Sequence, residues 1–237
     1  MGNIQEFAIP YTALAFLIMQ VRLLKFLKLV LKDLLIVQFN MDSDLGKELE
    51  AGKMALPIAE PLDGFPDFTM PYYFVGDEAF ALKSWMQRPF PGKNLIEEKR
   101  IFNYRLSRAR RTIENAFGIM VARWRILAQP ISSSVDTAQK IVQATVCLHN
   151  YLRQTNCATY CPQGFVDSED TTGDVKPGEW RREVDGGGTL GPLVPCRGSR
   201  HPQYAAKARE VLKQYLNSEH GSVEWQWAYV RNKGPTL

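Results

Sequence analysis

The chain has little of the side chains from which metal cages and nucleophilic triads are usually built. Three histidines and four cysteines are scattered over 237 residues. No Cys-x2-Cys pair occurs, so Cys147, His149, Cys157 and Cys161 lack the usual zinc spacing and read as ordinary thiols beside a histidine. Four such dispersed cysteines exclude a dense disulfide framework and point to a reducing compartment. No apolar run reaches the length of about 20 residues that a spanning helix needs. The longest uncharged stretch, FAIPYTALAFLIMQV, stops after 15 residues, and Arg22, Lys25, Lys28 and Lys32 punctuate the leucine-rich run after it. The amino terminus, MGNIQEF, has no basic residue, which argues against a secretory signal, and Glu6 stands where a myristoylation motif wants Ser or Thr. Internal repeats are also missing.

The composition itself is globular, 45% hydrophobic and 23% charged, which rules out a wholly disordered or fibrous chain. The net charge of +4 is modest, but its distribution is not. Between Lys99 and Arg125 lie Lys99, Arg100, Arg105, Arg108, Arg110, Arg111, Arg123 and Arg125, with Glu114 as the sole acid. Such clustering is the footprint that attracts phosphate backbones.

Periodicity organises the rest. Residues 7–39 read as a basic amphipathic helix with Lys25, Lys28 and Lys32 on one face, either buried or against a protein partner. Contact with a membrane surface, and a segment with no evolved role, are the less favoured alternatives. A polar helical stretch comes after Asp42 or Ser43 as N-cap, then an extended loop through LPIAEPLDGFPDFTMP. YYFVGD (72–77) is the strongest strand, and EAFALKSWM (78–86) reads as a short helix. The longest helical pattern spans 96–124, with Leu106, Ala109, Ile113, Ala116, Phe117, Met120 and Trp124 as its apolar stripe. A second helix is expected over 135–154, capped by Ser134 or Asp136, with Ile141, Thr145, Leu148 and Leu152 facing inward. Residues 155–200 read as loop or disordered linker, and 202–218 as a last helix.

Two carboxylates stand out. Asp77 closes the strand and reads either as an N-cap of the next helix or as a catalytic acid at a sheet edge. Glu114, 37 residues later, reads either as the i, i+4 partner of Arg110 or as a ligand beside the open space that Gly118 would leave. A pair of magnesium or manganese ions cutting a phosphodiester needs several converging acids, and two are too few.

VGDEAFALKSWMQRPFPG, FNYRLSRARRTIENAFGIMVARWRIL and ATVCLHNYLR together resemble the DDE superfamily endonucleases of the PIF/Harbinger type, which include transposases and transposase-derived nucleases. The resemblance covers roughly residues 41–155. It implies an α/β fold with a partial RNase H-like nuclease core, mostly helical here because the first three strands are missing, so that the domain reads as truncated at its amino-terminal side. It implies a divalent metal (Mg or Mn) held by Asp77 and Glu114 as second and third members of a catalytic triad. Arg108, Arg110, Arg111 and Arg123 would then hold a DNA backbone. His149 and Asn150 match an LHN motif and read as structural. The first triad aspartate has no counterpart: neither Glu6, Asp33, Asp42 nor Asp44 follows a strand-like run. The expected organisation is therefore 1–40 an apolar helix, 41–155 the nuclease-like domain, 156–200 a linker, and 201–237 a helix with a tail. The resemblance implies hydrolysis of DNA in the nucleus, or else a catalytically dead relic keeping at most DNA or protein binding. Cytoplasmic and membrane-associated placements are the alternatives. A protein partner would supply the DNA-binding module that the sequence does not show.

Overall fold

The computed structural model describes residues 15–16, 18–20, 38–39, 44–53, 57–78, 80–129, 131–155, 158–170, 173–184 and 202–232. They form a mixed α/β structure, mostly helical with small sheets. In chain order the strands are β1 (Ala15–Phe16), β2 (Ile18–Gln20), β3 (Gln38–Phe39), β4 (Glu60–Leu62), β5 (Phe65–Met70), β6 (Tyr73–Val75), β7 (Met86–Gln87), β8 (Ser168–Glu169) and β9 (Val175–Lys176). The helices are α1 (Asp44–Glu50), α2 (Glu97–Arg123), α3 (Val135–Gln154), α4 (Trp180–Val184), α5 (Gln203–Leu216) and α6 (Gln226–Asn232).

The helix α2 is the axis of the molecule. Its 27 residues contain no proline and one glycine, Gly118. Its first half buries Phe102 and Leu106 against Leu62, Phe68, Met70 and Val75 of the strands and Ala208, Leu212 and Leu216 of α5. Its second half buries Ile113, Ala116 and Met120 toward Val146 of α3, and Ile119 and Ala122 toward Tyr160, Phe165 and Trp180. Two polar side chains on α2 stitch distant backbone to it. Asn103 accepts from Phe90 N–H at 2.7 Å and donates to Phe90 carbonyl at 3.0 Å. Buried Arg105 donates to Gly221 carbonyl and to Gln226 Oε1, and burial lowers its pKa to about 10.

The central sheet has the order β2-β6-β7. Strand β6 runs parallel to β7 and antiparallel to β2, with Ile18 opposite Val75, Met19 opposite Phe74 and Gln20 opposite Tyr73. Tyr73, Phe74 and Val75 are all buried, as expected for a strand covered on both faces.

Several expectations are corrected. The described parts of the first forty residues are strands and not helix. Strand β2 runs through Ile18, Met19 and Gln20, where the edge of β6 supplies ladder partners that outweigh propensity; the rest of that segment lies outside the described residues. Residues 78–86 do not form a helix: Leu82, Trp85 and Met86 are buried, and Lys83 and Met86 pair across a tight turn that leads into β7. The loop expected after Leu56 holds the hairpin β4–β5, whose Asp63–Gly64 turn places Gly64 at φ +78°. Part of 155–200 is ordered too, as β8, β9 and α4. On α3, Ser134 caps as expected, its hydroxyl accepting from Thr137 N–H. The buried face, however, runs through Ala138, Val142, Thr145 and His149, while Leu148 is 48% exposed.

Gly118 does not face open space. The Trp180 indole lies against it, and a methyl group at this position would sit 2.2 Å from the ring carbons. Gly118→Ala should therefore destabilise the fold by about 1–3 kcal/mol, the usual cost of overpacking, measured as a lowered urea midpoint at unchanged slope.

Candidate functional site

Asp77 lies two residues beyond β6, where Gly76 N–H donates to Gln87 carbonyl and holds the chain at the end of the parallel strand pair. Among the described residues no helix begins after Asp77, and its carbonyl accepts from Phe80 N–H in a turn. Arg88 fastens the far side of this turn by donating to the carbonyls of Glu78 and Phe80. Glu114 sits in the second half of α2.

Folding brings the two acids to one guanidinium. Arg110 Nη2 lies 3.8 Å from Asp77 Oδ2 and 3.4 Å from Glu114 Oε1. Both carboxylates keep contact with solvent, Asp77 at 26% and Glu114 at 43% side-chain exposure. The i, i+4 pairing of Arg110 with Glu114 is thus present, and it coexists with the convergence of Glu114 on Asp77.

The remaining arginines of the expected DNA-binding set are engaged within the chain. Arg108 and Arg111 share the carboxylate of Glu169. Arg123 donates to Tyr160 carbonyl at 2.9 Å and lies 4.1 Å above the Phe165 ring. Sequence reasoning treated these cations as free because their partners lie 37 to 61 residues further along the chain. The same reasoning missed Asn115, whose Oδ1 accepts from both Asp167 N–H and Trp180 Nε1–H, tying the later segment to α2. Asp167 is also held by Arg181 and by Gly178 N–H, and these bonds keep its carboxyl below the usual carboxylate range against the opposing effect of burial.

His149 is fully buried, its Nδ1 2.6 Å from the Tyr160 hydroxyl. The bond ties α3 to the segment that packs on α2, in keeping with a structural role.

Residues 42–150 match the family model described as DDE superfamily endonuclease. No curated protein and no solved structure matches the chain. The matched segment, which spans α1, β4 to β7, α2 and most of α3 and makes up less than half of the chain, is similar to a DDE superfamily endonuclease domain. The family implies an RNase H-like fold, a divalent metal and a DNA substrate. The described residues do not fit the metal. Among the described residues no group of three or more His, Cys, Asp or Glu side chains converges to hold an ion. Two acids meet, and the cation between them is Arg110.

Burial depresses the His149 pKa from 6.5 to about 4, with nearby Arg153 acting in the same direction. The unfolded chain therefore takes up the proton first as pH falls. The stabilising contribution is complete above pH 6.5 and is lost progressively down to about pH 4, for a total of about 3 kcal/mol. Urea denaturation at pH 7, 5.5 and 4 should show this loss, and His149→Gln should flatten it in that window.

Proposed function

We propose that this chain is a transposase-derived protein of the PIF/Harbinger type, built on a divalent-metal-dependent DNA endonuclease domain, and that it does not hydrolyse DNA by itself. One observation carries the reading. The antiparallel partner of β6 beside Asp77 is Ile18–Met19–Gln20, which has no carboxylate to add to Asp77 and Glu114. Ligand number decides this, not the arginine. A solvent-exposed ion pair is worth about 0–1 kcal/mol, so Arg110 alone would yield to a well-built metal site. Two monodentate carboxylates from one strand end and one helix leave most of an octahedral magnesium shell to water. They cannot clamp both the attacking and the leaving oxygen of a phosphodiester.

In this reading Asp77 and Glu114 are the surviving members of the family's acid set, and Arg110 neutralises them. DNA remains the partner class, by family. The nucleus is the proposed compartment, and a separate protein would supply sequence-specific DNA reading.

Incubation with supercoiled plasmid and manganese or magnesium tests the reading. The protein should nick no faster than its Asp77→Ala, Glu114→Ala double variant. Metal-dependent nicking that falls a hundredfold or more in either single variant would overturn it.

A further inference from the structure

Arg108 and Arg111 lie three residues apart on α2 and turn toward the hairpin β8–β9. Glu169, in β8, accepts from Arg108 Nε at 3.0 Å and from Arg111 Nη1 at 2.8 Å, while Arg108 Nη2 lies 2.5 Å from its second oxygen. Two guanidinium groups thus converge on one anionic group, with both carboxylate oxygens engaged. This is the fork geometry that suits a phosphate equally well. Aromatic side chains flank the pair. Arg108 lies 4.5 Å above the Trp225 ring, and Tyr104 stacks on Tyr229 at 4.3 Å beside it. Side-chain exposures of 26% for Arg108, 17% for Arg111 and 19% for Glu169 leave the group half-sheltered and within reach of a ligand.

The element that delivers Glu169 is slight. Strands β8 and β9 are two residues each and, among the described residues, pair only with one another. An isolated two-stranded hairpin is marginal in water. Its tip rests on these aromatic side chains through Gly173, whose carbonyl accepts from the Tyr104 hydroxyl at 3.5 Å and whose Cα abuts the Trp225 ring. Its base is fixed more firmly, by Asn115 and Arg181 on Asp167.

We propose that Arg108 and Arg111 form a phosphate-binding site for a nucleic-acid backbone on α2, and that Glu169 occupies it as an internal competitor. DNA binding on this face then requires the hairpin to swing away from α2 about its fixed base. The ligand class rests on the DNA reading above; the occupancy by Glu169 does not.

Anisotropy of a labelled DNA duplex, measured across salt concentration, tests the site. Glu169→Gln should bind at least tenfold more tightly than the unmodified chain at low salt. Its salt slope should be steeper by about two units, the release expected for two more phosphate contacts. Adding Arg108→Ala and Arg111→Ala to Glu169→Gln should abolish that gain. Equal binding by Glu169→Gln and the unmodified chain would overturn the proposal, as would a gain that survives loss of both arginines. Should Glu169→Gln fail to fold, hydrogen exchange of residues 168–176 in the unmodified chain decides. Faster exchange with saturating duplex supports displacement, and unchanged protection overturns it. Cleavage is read separately, so a chain that nicks DNA and also shows this gain keeps the anion site and loses only the non-hydrolytic reading.

Discussion

A helix carrying six arginines is buried on several sides, and the rest of the chain is arranged to make that tolerable. The apolar stripe of α2 gains by contact with strands, α3, α4 and α5, but the same burial strips water from its guanidinium groups. Each of these needs an acceptor if the packing is to be net favourable. The partners come largely from after residue 150. Arg100 donates to Val230 carbonyl, and Arg105 donates to Gly221 and Gln226. Arg108 and Arg111 use Glu169, and Arg123 uses Tyr160 carbonyl with Glu183 at 4.0 Å. Arg110 differs in finding its partners, Asp77 and Glu114, within the nuclease-like segment. Among the described residues, those of 158–184 and 202–232 form a counter-shell for α2.

This constraint accounts for the state of the acid pair. In a domain whose metal site has its full set of carboxylates, the ion would neutralise them. Here the nearest available cation is Arg110, one turn from Glu114 on the same helix. The sheet is stable without an acid, because β2 satisfies the β6 ladder with Ile18, Met19 and Gln20, residues suited to pairing and not to metal chemistry.

Legibility in the sequence followed the range of the forces. Helices α2, α3 and α5 were readable because their apolar spacing and, on α3, the Ser134 cap are local, whereas the pairing of Asp77 with Glu114 was an expectation from the family resemblance alone. The region around Leu82 was not readable, since EAFALKSW has helical composition and only the burial of Leu82, Trp85 and Met86 beside β6 pulls it into a turn. Residues 158–184 look like linker for the complementary reason. Their order comes from Asn115, Gly118 and the arginines of α2, contacts that no window of local sequence contains. The inward face of α3 was misjudged by about one residue. Periodicity favours Leu148 over His149, but the Tyr160 hydroxyl gives the histidine a partner inside.

Clustered positive charge in a sequence measures potential and not availability. Eight basic residues between Lys99 and Arg125 would, on a free helix, present a continuous phosphate-binding stripe. In the fold, most of that charge is engaged internally, and on the proposed reading the balance at Arg108 and Arg111 is a competition between the tethered Glu169 carboxylate and a free phosphate. The tether gives Glu169 an effective concentration in the millimolar range or above. Yet half-sheltered ion pairs of this sort contribute only about 1 kcal/mol each after screening. A duplex presents many phosphates along one face and gains further from released counterions. On that proposal, the Glu169 pairing suppresses casual binding of single anions and yields to a long polyanion at low salt. Arg105 and Arg123 are different. Buried Arg105 is committed to backbone and amide acceptors and Arg123 to a carbonyl and a ring, and neither can be recruited without opening the core around α2.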